Sequence, residues 1–593
     1  MIFAAAHYAA LAVFVASCWG FGRAVLTRIG PPVRRDGGLE AAMAVALGIG
    51  LFICAFQALA IGGVFGLAGV LVIVALGVAL ALVQAPGCLR ELRTAKDTRP
   101  LPWVERGALA VLALVALPAL VAPLAPPAAF DELMYHLPYA RTVAQTGSLG
   151  IHDWLRYPWF PYNFNLLYAG GLLVDDDVLP HLLNGLGGAV SVWMVYRLGL
   201  QHTSRVIACG GAAIWLGLGD YSNALIDMGV ALFVLSACVA LWWWREAAAD
   251  RATAGAPATR WLCVAAFFLG LAAGSKYQAL TFMPLMGLFV LWHERRPKVL
   301  ALALLCFLIP CIYWYARNAI TTGDPFNPIG ARLFGFTNWN AADYKNQFDD
   351  VQAHAAWPNA MIWPVLLAPF SPWFRRSAAV RAAVVFCAYS LVVWFATSRY
   401  PRYMTASYPL IAWMAAVGWT VLLGALLAAV RKGLPALASH GAASRAGAWV
   451  GGVLLAALAV ASVYQTAQKI AMVSPTPELR EAFLRKNVPG YAAMHYLRTH
   501  PQGRVYQVAL SEAIYYGPDA VWGDTLGPWR YMDFLAAAPD DMARKFASLG
   551  FGAMVVAAPY VAVLEAKPGF ARHFVLLYEK DGAKAYRILA DAP

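Results

Sequence analysis

Residues 107–136 read GALAVLALVALPALVAPLAPPAAFDELMYH, an apolar run that ends at two adjacent carboxylates. The apolar part, residues 107–129, is long enough to cross the hydrocarbon core of a bilayer, which takes about 20 helical residues. Carboxylates at the edge of a bilayer are costly to place, so they usually face a cavity and act there. A single acidic residue would more simply mark where the span ends in water. We interpret the pair Asp131 and Glu132 as functional, because aromatic and polar residues follow it instead of a simple turn.

The composition is that of a polytopic membrane protein. Of the 593 residues, 61% are hydrophobic and 13% are charged, and the mean hydropathy is +0.59. The apolar residues fall in runs near the length needed to cross a bilayer. We predict about fourteen spans, at residues 3–22, 40–60, 64–84, 107–126, 181–199, 205–219, 224–244, 261–275, 277–293, 299–318, 359–374, 379–397, 404–429 and 447–468. The segment 359–374 is short and contains prolines, so a re-entrant segment is the alternative there.

The basic residues indicate the orientation of the chain. They collect in alternate short loops, which the positive-inside rule places in the cytoplasm. The net charge of +13 therefore reflects topology, and we expect no nucleic-acid partner. The outer loops 127–180 and 321–358 and the C-terminal segment then lie on the other side. We expect a multi-pass protein of the bacterial inner membrane, with its site and its C-terminal domain facing the periplasm.

Three regions follow from the distribution of apolar runs. Residues 1–106 hold three additional transmembrane helices with few polar groups, and residues 107–470 hold most of the unusual polar residues. Residues 471–593 lose the long apolar runs and alternate strand-like with helical segments, which is typical of a small α/β domain. Asp581 and Gly582 predict a hairpin turn within it. The predicted fold class is an α-helical polytopic membrane protein with a small soluble C-terminal α/β domain.

Several unusual polar residues share the outer face with Asp131 and Glu132. Residues at span ends or in short outer connections are Asp227, Lys276, Arg317, Asn318, Arg399 and Arg402. Each cation alone could be a snorkelling anchor. Together with the carboxylates, they suggest a site with two halves. A carboxylate takes a proton from a hydroxyl, while Arg or Lys holds an anionic group such as the phosphate of a lipid.

The first outer loop also carries a dense aromatic cluster. It comprises Trp154, Tyr157, Trp159, Phe160 and Tyr162, next to two prolines. One interpretation is an interfacial belt that anchors a re-entrant loop. The other is a platform that stacks on an apolar or sugar-like ligand.

In their order and shared side, these motifs resemble the GT-C class of membrane glycosyltransferases, which includes protein O-mannosyltransferases and the lipid A aminoarabinose transferase. The acidic pair Asp131-Glu132 is similar to the acidic motif of the class, and GSKY at 274–277 to its Lys-Tyr element. YWYARN at 313–318 with TGDPFNP at 322–328 resembles its Arg-Asn…Gly-Asn-Pro segment. RYPRY at 399–403 resembles its late Arg-Tyr…Pro element. The resemblance covers residues 107–430.

The resemblance implies a donor of the form polyprenyl-phosphate sugar and an extracytoplasmic acceptor that is an envelope glycan, a lipid or a protein. Asp131 is the implied general base of an inverting displacement, and Glu132 orients the acceptor or the loop. The implied phosphate ligands are Lys276, Arg399, Arg402 and Arg317. The implied substrate-binding residues are Tyr135, His136, Tyr157, Tyr162, Asp227, Tyr277 and Asn318.

Two features depart from the class, and the need for a metal stays open. The three spans before residue 107 are additional, and Asp324 stands where the class more usually has Asn. No cofactor is certain from the sequence. Some members of the class need a divalent metal, and Asp131 with Asp227 could hold one.

Two alternatives remain open. A transporter or flippase of a lipid or solute would also combine many spans with intramembrane charges. Its polar residues are expected at mid-membrane, whereas those of this chain cluster on one face. A ligase that moves whole lipid-linked glycans would share both the topology and the donor chemistry.

Overall fold

The computed structural model describes residues 2–94, 101–250, 256–433 and 440–589. Long helices dominate its first 470 residues and form one bundle. They are α1 (Ile2–Ile29), α2 (Gly37–Ile61), α3 (Leu67–Thr94), α4 (Trp103–Val121), α5 (Leu137–Thr146), α6 (Asn163–Val174), α7 (Leu179–His202), α8 (Arg205–Leu218), α9 (Asp227–Ala249), α10 (Ala256–Ala273), α11 (Met283–His293), α12 (Pro297–Thr322), α13 (Ala331–Phe334), α14 (Ala341–Ala353), α15 (Pro372–Arg376), α16 (Ala378–Ala396), α17 (Tyr408–Gly433) and α18 (His440–Ile470). Short 3₁₀ segments join several of them, at Tyr277–Phe282, Ala360–Phe370 and Pro401–Ser407.

Nine helices within the described residues are long and apolar enough to cross a membrane. They lie at Ile2–Ile29, Gly37–Ile61, Leu67–Cys88, Trp103–Leu124, Asp227–Ala249, Pro297–Thr322, Ala378–Ala396, Pro401–Val430 and Val450–Ile470. Each coincides with a predicted span, and the protein is a multi-pass membrane protein.

The other five predicted spans have a different character, so the total of about fourteen stays a prediction. Segments 205–219, 261–275 and 359–374 form apolar helices shorter than a full crossing needs. Segment 277–293 divides into the 3₁₀ turn Tyr277–Phe282 and the 11-residue helix α11. Segment 181–199 belongs to α7, which is long but too polar to be among the nine.

Helix α9 lies at the centre of the bundle. Its residues 228–237 are all buried, which is typical of a helix enclosed by others on every side. Helix α7 approaches it closely at Gly187, where an added Cβ atom would lie 3.1 Å from backbone atoms of Met228 and Gly229. The first residue of α9 is Asp227, so the central helix itself delivers a carboxylate to the end of the bundle.

The C-terminal residues form a small α/β domain, which confirms that part of the fold class. Its helices are α19 (Pro477–Asn487), α20 (Tyr491–Thr499), α21 (Met532–Leu535), α22 (Pro539–Ser548), α23 (Ala558–Glu565) and α24 (Phe570–His573). Its strands are β1 (Arg504–Val508), β2 (Val521–Trp522), β3 (Phe551–Ala557), β4 (Phe574–Lys580) and β5 (Ala583–Ile588). The sheet order is β2-β1-β3-β5-β4.

The sheet is partly parallel, which fits the alternation of strands and helices along this part of the chain. Strand β1 pairs parallel with β2 and β3, whereas β5 pairs antiparallel with β3 and β4. The hairpin predicted at Asp581 and Gly582 joins β4 to β5, and both residues have positive φ values of 51° and 77°. On one face of the sheet, Tyr506 and Met554 pack against Phe546 of α22, and all three are fully buried.

The C-terminal domain is fastened to the first outer loop by two arginines, of which Arg141 is buried. The guanidinium of Arg141 donates to four backbone carbonyls of the domain, including those of Tyr515 at 2.5 Å and Pro518 at 2.9 Å. Arg480 binds both carboxylate oxygens of Asp177, at 2.7 and 2.6 Å. These contacts fix the domain over one end of the helix bundle.

We expect Gly187→Leu to destabilise the protein by about 2 kcal/mol, because a larger side chain must push α7 away from α9. The unfolding temperature in detergent measures the effect. The control is Gly217→Leu on α8, where the nearest atom to an added Cβ lies 3.9 Å away. Equal loss in both variants would show that the α7–α9 approach is not a tight contact.

Candidate functional site

A cavity of about 680 Å³ lies at the end of the helix bundle that carries the C-terminal domain. Its walls come from segments that are far apart in sequence. They are the loop before α5, the loop before α6, the α10–α11 connection, α14 and the turn before α17. Residues that line it include Phe130, Asp131, Tyr135, Arg156, Tyr157, Phe160, Lys276, Gln278, Trp339, Tyr344, Gln347, His354, Tyr400, Arg402 and Tyr403.

Four charged groups form a continuous network at the base of this cavity. Arg402 donates from Nη1 to Asp131 Oδ2 at 2.5 Å and from Nε to Asp227 Oδ2 at 3.1 Å. Lys276 Nζ lies 2.5 Å from the other oxygen of Asp227. The charges of the two carboxylates and the two cations sum to zero, which lowers the free-energy cost of burying them at the end of an apolar bundle. Asp131 and Arg402 keep about a quarter of their side-chain surface exposed to the cavity, at 25% and 24%.

The local structure explains how each group reaches the network. Asp227 occupies the first turn of α9, where the helix dipole stabilises a negative charge. Lys276 stands in an extended residue between α10 and a 3₁₀ turn, and Arg402 lies in the turn before α17. Burial lowers the pKa of Lys276 below its usual 10.5, although the Asp227 carboxylate opposes the shift.

The arrangement of Asp131 and Asp227 does not fit a divalent metal. The guanidinium of Arg402 lies between the two carboxylates and donates to both, so it supplies the positive charge that an ion would supply. We therefore assign no step of the chemistry to a metal at this position.

Glu132 and His136 are buried and lie outside the cavity lining. Residues 132–136 form one π-helical turn, a feature often found at functional sites, and this turn points neighbouring side chains in different directions. Glu132 is fully buried, pairs with His181 and accepts a hydrogen bond from the backbone of Ala129 at 3.3 Å. Burial lowers the pKa of His136 to about 3, so its imidazole is neutral beside Asn165, whose Nδ2 lies 3.0 Å from Nδ1.

The predicted aromatic platform is present only in part within the cavity. Tyr135 and Tyr157 line it with their ring centroids 4.9 Å apart, and Tyr157 stacks on Phe160 at 4.4 Å. The hydroxyl of Tyr157 donates to Gln347 of α14 at 2.8 Å. Tyr162 stands behind this wall and donates to the backbone carbonyl of Tyr157 at 2.7 Å.

Four further predicted residues lie outside the cavity lining. Asn318 is fully buried and donates to the hydroxyl of Tyr277 at 3.0 Å, so both support the wall from behind. Arg317 donates to Asn318 and lies over the ring of Trp314 at 5.1 Å. Arg399 is exposed, with a positive φ of 51°. Of the four predicted phosphate ligands, Lys276 and Arg402 are the two that line the cavity.

Arg156 is a cavity residue that sequence reasoning missed. Its Nε donates to both carboxylate oxygens of Asp524 at 2.9 Å, and Asp524 belongs to the C-terminal domain. Burial alone would lower the pKa of Arg156, but the Asp524 carboxylate outweighs it and raises the pKa. The sequence does contain a signal for Arg156, because it is a basic residue inside the aromatic cluster of a predicted outer loop, where few other basic residues lie.

The C-terminal domain also holds the helix that covers the cavity. Arg530 donates to Asp343 at 2.6 Å, and Asp343 closes the capping box at the start of α14 with Asn340. Gln347 and His354, which line the cavity, lie on α14 or directly after it. The domain therefore positions both a wall and the cover of the cavity.

Comparison with known sequences finds matches for part of the chain. Residues 479–587, from α19 to β5, match the family model described as SF2091/S2213. The uncharacterized protein SF2093/S2215 of Shigella flexneri is 38% identical over 120 residues, which is 18% of this chain and 58% of that protein. A second Shigella flexneri protein, SF2092/S2214, is 26% identical over 125 residues, which is 19% of this chain and 67% of that protein. The chain thus spans somewhat more than half the length of the first relative.

Comparison with solved structures finds membrane enzymes. ArnT from Cupriavidus metallidurans bound to undecaprenyl phosphate has a TM-score of 0.46 and 14% identity, over 82% of this chain and 98% of that chain. Archaeal oligosaccharyltransferase AglB from Archaeoglobus fulgidus has a TM-score of 0.45 and 14% identity, over 82% of this chain and 74% of that chain. At these scores we base the function on the site residues themselves.

We expect Asp524→Ala to loosen the C-terminal domain, because it leaves the buried Arg156 cation without its partner, at a cost of about 3 kcal/mol. Hydrogen exchange of the backbone amides in residues 504–530 measures the change. The control is Asp533→Ala, since Asp533 pairs with Arg530 at the surface and is half exposed. Equal exchange in the two variants would contradict a special role for the buried pair.

Proposed function

We propose that this protein is a glycosyltransferase that moves a sugar from a polyprenyl-phosphate-linked donor to an extracytoplasmic acceptor. The observation that carries the proposal is the placement of Asp131, Lys276 and Arg402 on one cavity at the end of a membrane helix bundle. A carboxylate and two cations are the groups that such a transfer needs, because a hydroxyl must lose a proton and a phosphate must be held.

The donor phosphate binds at Lys276 and Arg402. Both cations point into the cavity from the base of the network, and both are already held by Asp227. Asp227 thus acts on the substrate indirectly, by keeping the two cations in place. When the phosphate arrives, Arg402 shifts its Nη1 hydrogen bond from Asp131 to a phosphate oxygen, because the phosphate competes as a charged acceptor.

This shift releases Asp131 to act as the general base. The acceptor hydroxyl loses its proton to Asp131 while its oxygen bonds to the anomeric carbon of the sugar. The bond between that carbon and the phosphate oxygen breaks on the opposite face, and the lipid phosphate leaves with the electron pair. A single displacement of this kind inverts the anomeric configuration.

The aromatic wall holds the sugar. Tyr135 and Tyr157 present ring faces and edges beside Asp131, and a sugar stacks on such surfaces through its apolar C–H groups. Arg156 lies on the same wall and adds a third cation toward the acceptor or the phosphate. Glu132, through its pair with His181, keeps the turn that carries Asp131 in position.

We assign the chemistry to residues 107–470, with the first 106 residues as additional membrane helices and residues 471–593 as a domain that positions the cavity. The last four residues lie outside the described part of the chain. The site and the C-terminal domain face the periplasm in this proposal, because the domain meets the start of α1 through the Asp176–Asp177 segment, whereas the basic residue Arg28 lies in the last turn of that helix. The acceptor is an envelope glycan, a lipid or a protein.

We expect Asp131→Asn to lower the rate of sugar transfer by roughly a hundredfold or more, because the amide cannot accept the hydroxyl proton. Membranes that contain each variant are given radiolabelled polyprenyl-phosphate hexoses with envelope lipid, glycan and peptide acceptors, and labelled product is counted. The control is Asp349→Asn, which removes an exposed carboxylate of α14 that pairs with Lys345 on the same helix.

Three outcomes would contradict this proposal. Transfer that persists in Asp131→Asn would remove Asp131 as the base. Uptake or flipping of the labelled compound without covalent transfer would favour the transporter or flippase. Transfer of whole glycans from lipid diphosphates, with no use of single-sugar donors, would favour the ligase.

We expect the activity to fall as the pH rises, and to do so at a pH below the usual pKa of lysine. Burial lowers the pKa of Lys276, and its uncharged amine no longer holds phosphate. In Lys276→Arg the cation persists, so the alkaline limb of kcat/KM for the donor moves to higher pH. Each profile is scaled to its own maximum. Lys345→Arg on the surface of α14 is the control, and a limb that stays in place in Lys276→Arg would contradict the assignment.

A further inference from the structure

A second cluster of ionisable groups lies away from the cavity, where α1 meets the segment before α7. His7 of α1 is almost completely buried, with 3% of its surface exposed. Its Nε2 lies 2.9 Å from Asp176 Oδ1 and 3.7 Å from Asp175 Oδ2. The three ligand atoms lie within 4.8 Å of one another. The proposed transfer reaction uses none of these residues.

The hydrogen bonds of His7 fix which of its nitrogens carries a proton. Its Nδ1 lies 2.8 Å from the backbone carbonyl of Phe3, which can only accept, so Nδ1 carries the hydrogen. In a neutral imidazole, Nε2 is then a lone pair that faces two carboxylates. Three acceptors that converge in this way repel one another unless a cation lies among them. That cation is either an added proton on Nε2 or a metal ion.

The charge balance favours a divalent ion over a proton. An imidazolium would bring one positive charge against the two carboxylates, whereas a divalent ion balances both. Arg480, which lies next to this segment, is engaged by Asp177 through both carboxylate oxygens. Asp175 accepts no hydrogen bond from any described residue, so its carboxylate is available as a ligand.

We propose that His7, Asp175 and Asp176 bind a divalent transition-metal ion such as Zn²⁺ or Mn²⁺. One imidazole nitrogen and two carboxylate oxygens are ligands that suit these ions. Tetrahedral zinc bonds place neighbouring ligand atoms roughly 3.4 Å apart, which lies between the two distances from Nε2. The Phe3 carbonyl orients the imidazole from behind, as backbone carbonyls do for histidine ligands. Water completes the coordination on the exposed side of the two carboxylates.

The site would connect parts of the chain that are otherwise far apart. Asp175 and Asp176 contact His7 of α1. The next residue, Asp177, binds Arg480 of the C-terminal domain. A metal here joins the N-terminal helices to the segment that fastens that domain. This role is structural and independent of the proposed transfer reaction.

Metal binding to the full-length, tag-free protein in detergent tests this inference. After removal of metal by a chelator, Zn²⁺ or Mn²⁺ is titrated in competition with a chromogenic indicator, and bound metal is also measured by mass spectrometry. We expect one tight equivalent in the wild type. Asp175→Asn lowers the affinity on the order of tenfold or more, and because Asp175 is exposed the variant keeps its fold.

A matched control is available in the C-terminal domain. His573 has the same arrangement with only one carboxylate, since its Nδ1 lies 3.0 Å from the Leu589 carbonyl and its Nε2 lies 2.8 Å from Asp540. Asp540→Asn should leave metal binding unchanged. Zn²⁺ should also raise the unfolding temperature of the wild type and of Asp540→Asn, but not that of Asp175→Asn.

Two results would overturn the proposal. The first is a wild type that binds neither ion, which would identify the cation on His7 as a proton. The second is equal affinity in the wild type and Asp175→Asn, which would place any bound metal elsewhere.

Discussion

The contact of Arg402 with two carboxylates is the constraint on which the cavity depends. Asp131 and Asp227 come from different parts of the chain, and without a cation between them their charges would resist a shared, half-buried position. The planar guanidinium donates in two directions at once and so fixes the distance between them. Lys276 balances the remaining charge. The polar base of the cavity therefore holds its shape in an apolar bundle while part of Asp131 and Arg402 stays open to a ligand.

The C-terminal domain applies a second constraint from above. Asp524 holds Arg156 in the cavity wall, and Arg530 holds the start of α14 through Asp343. Both pairs use an acid and an arginine with little exposure on at least one side, so each resists rearrangement more than a surface bridge would. The C-terminal domain therefore helps to form the cavity, because it holds residues of the cavity wall and of the helix that covers it.

The sequence predicts those parts of the site that topology alone brings together. Four charged residues stand at the ends of apolar runs on the same predicted side of the membrane, namely Asp131, Asp227, Lys276 and Arg402. The predicted topology alone therefore assigns them to one face of the bundle. The hairpin at Asp581 and Gly582 was predictable because its backbone needs left-handed residues.

Other features depend on contacts that spacing does not encode. Glu132 is next to Asp131 in sequence, yet the π-helical turn directs it to His181 and away from the cavity. Arg156 has its partner in another domain, and nothing in its own neighbourhood identifies Asp524. The predicted spans at 181–199 and 277–293 rest on apolar content alone, and they stay predictions because α7 is more polar than the nine long apolar helices and 277–293 divides at a 3₁₀ turn.

The ion pair between Arg156 and Asp524 also affects the order in which parts of the newly made chain can reach their final structure. The two residues are 368 positions apart, and helices α6 to α18 lie between them. During synthesis the arginine is made long before its carboxylate exists. Until the C-terminal domain has been made and folded, the cavity wall lacks the carboxylate that pairs with this cation. A newly made chain therefore cannot hold this cavity in final form before the C-terminal domain has folded, which ties maturation of the cavity to synthesis of residues 471–593.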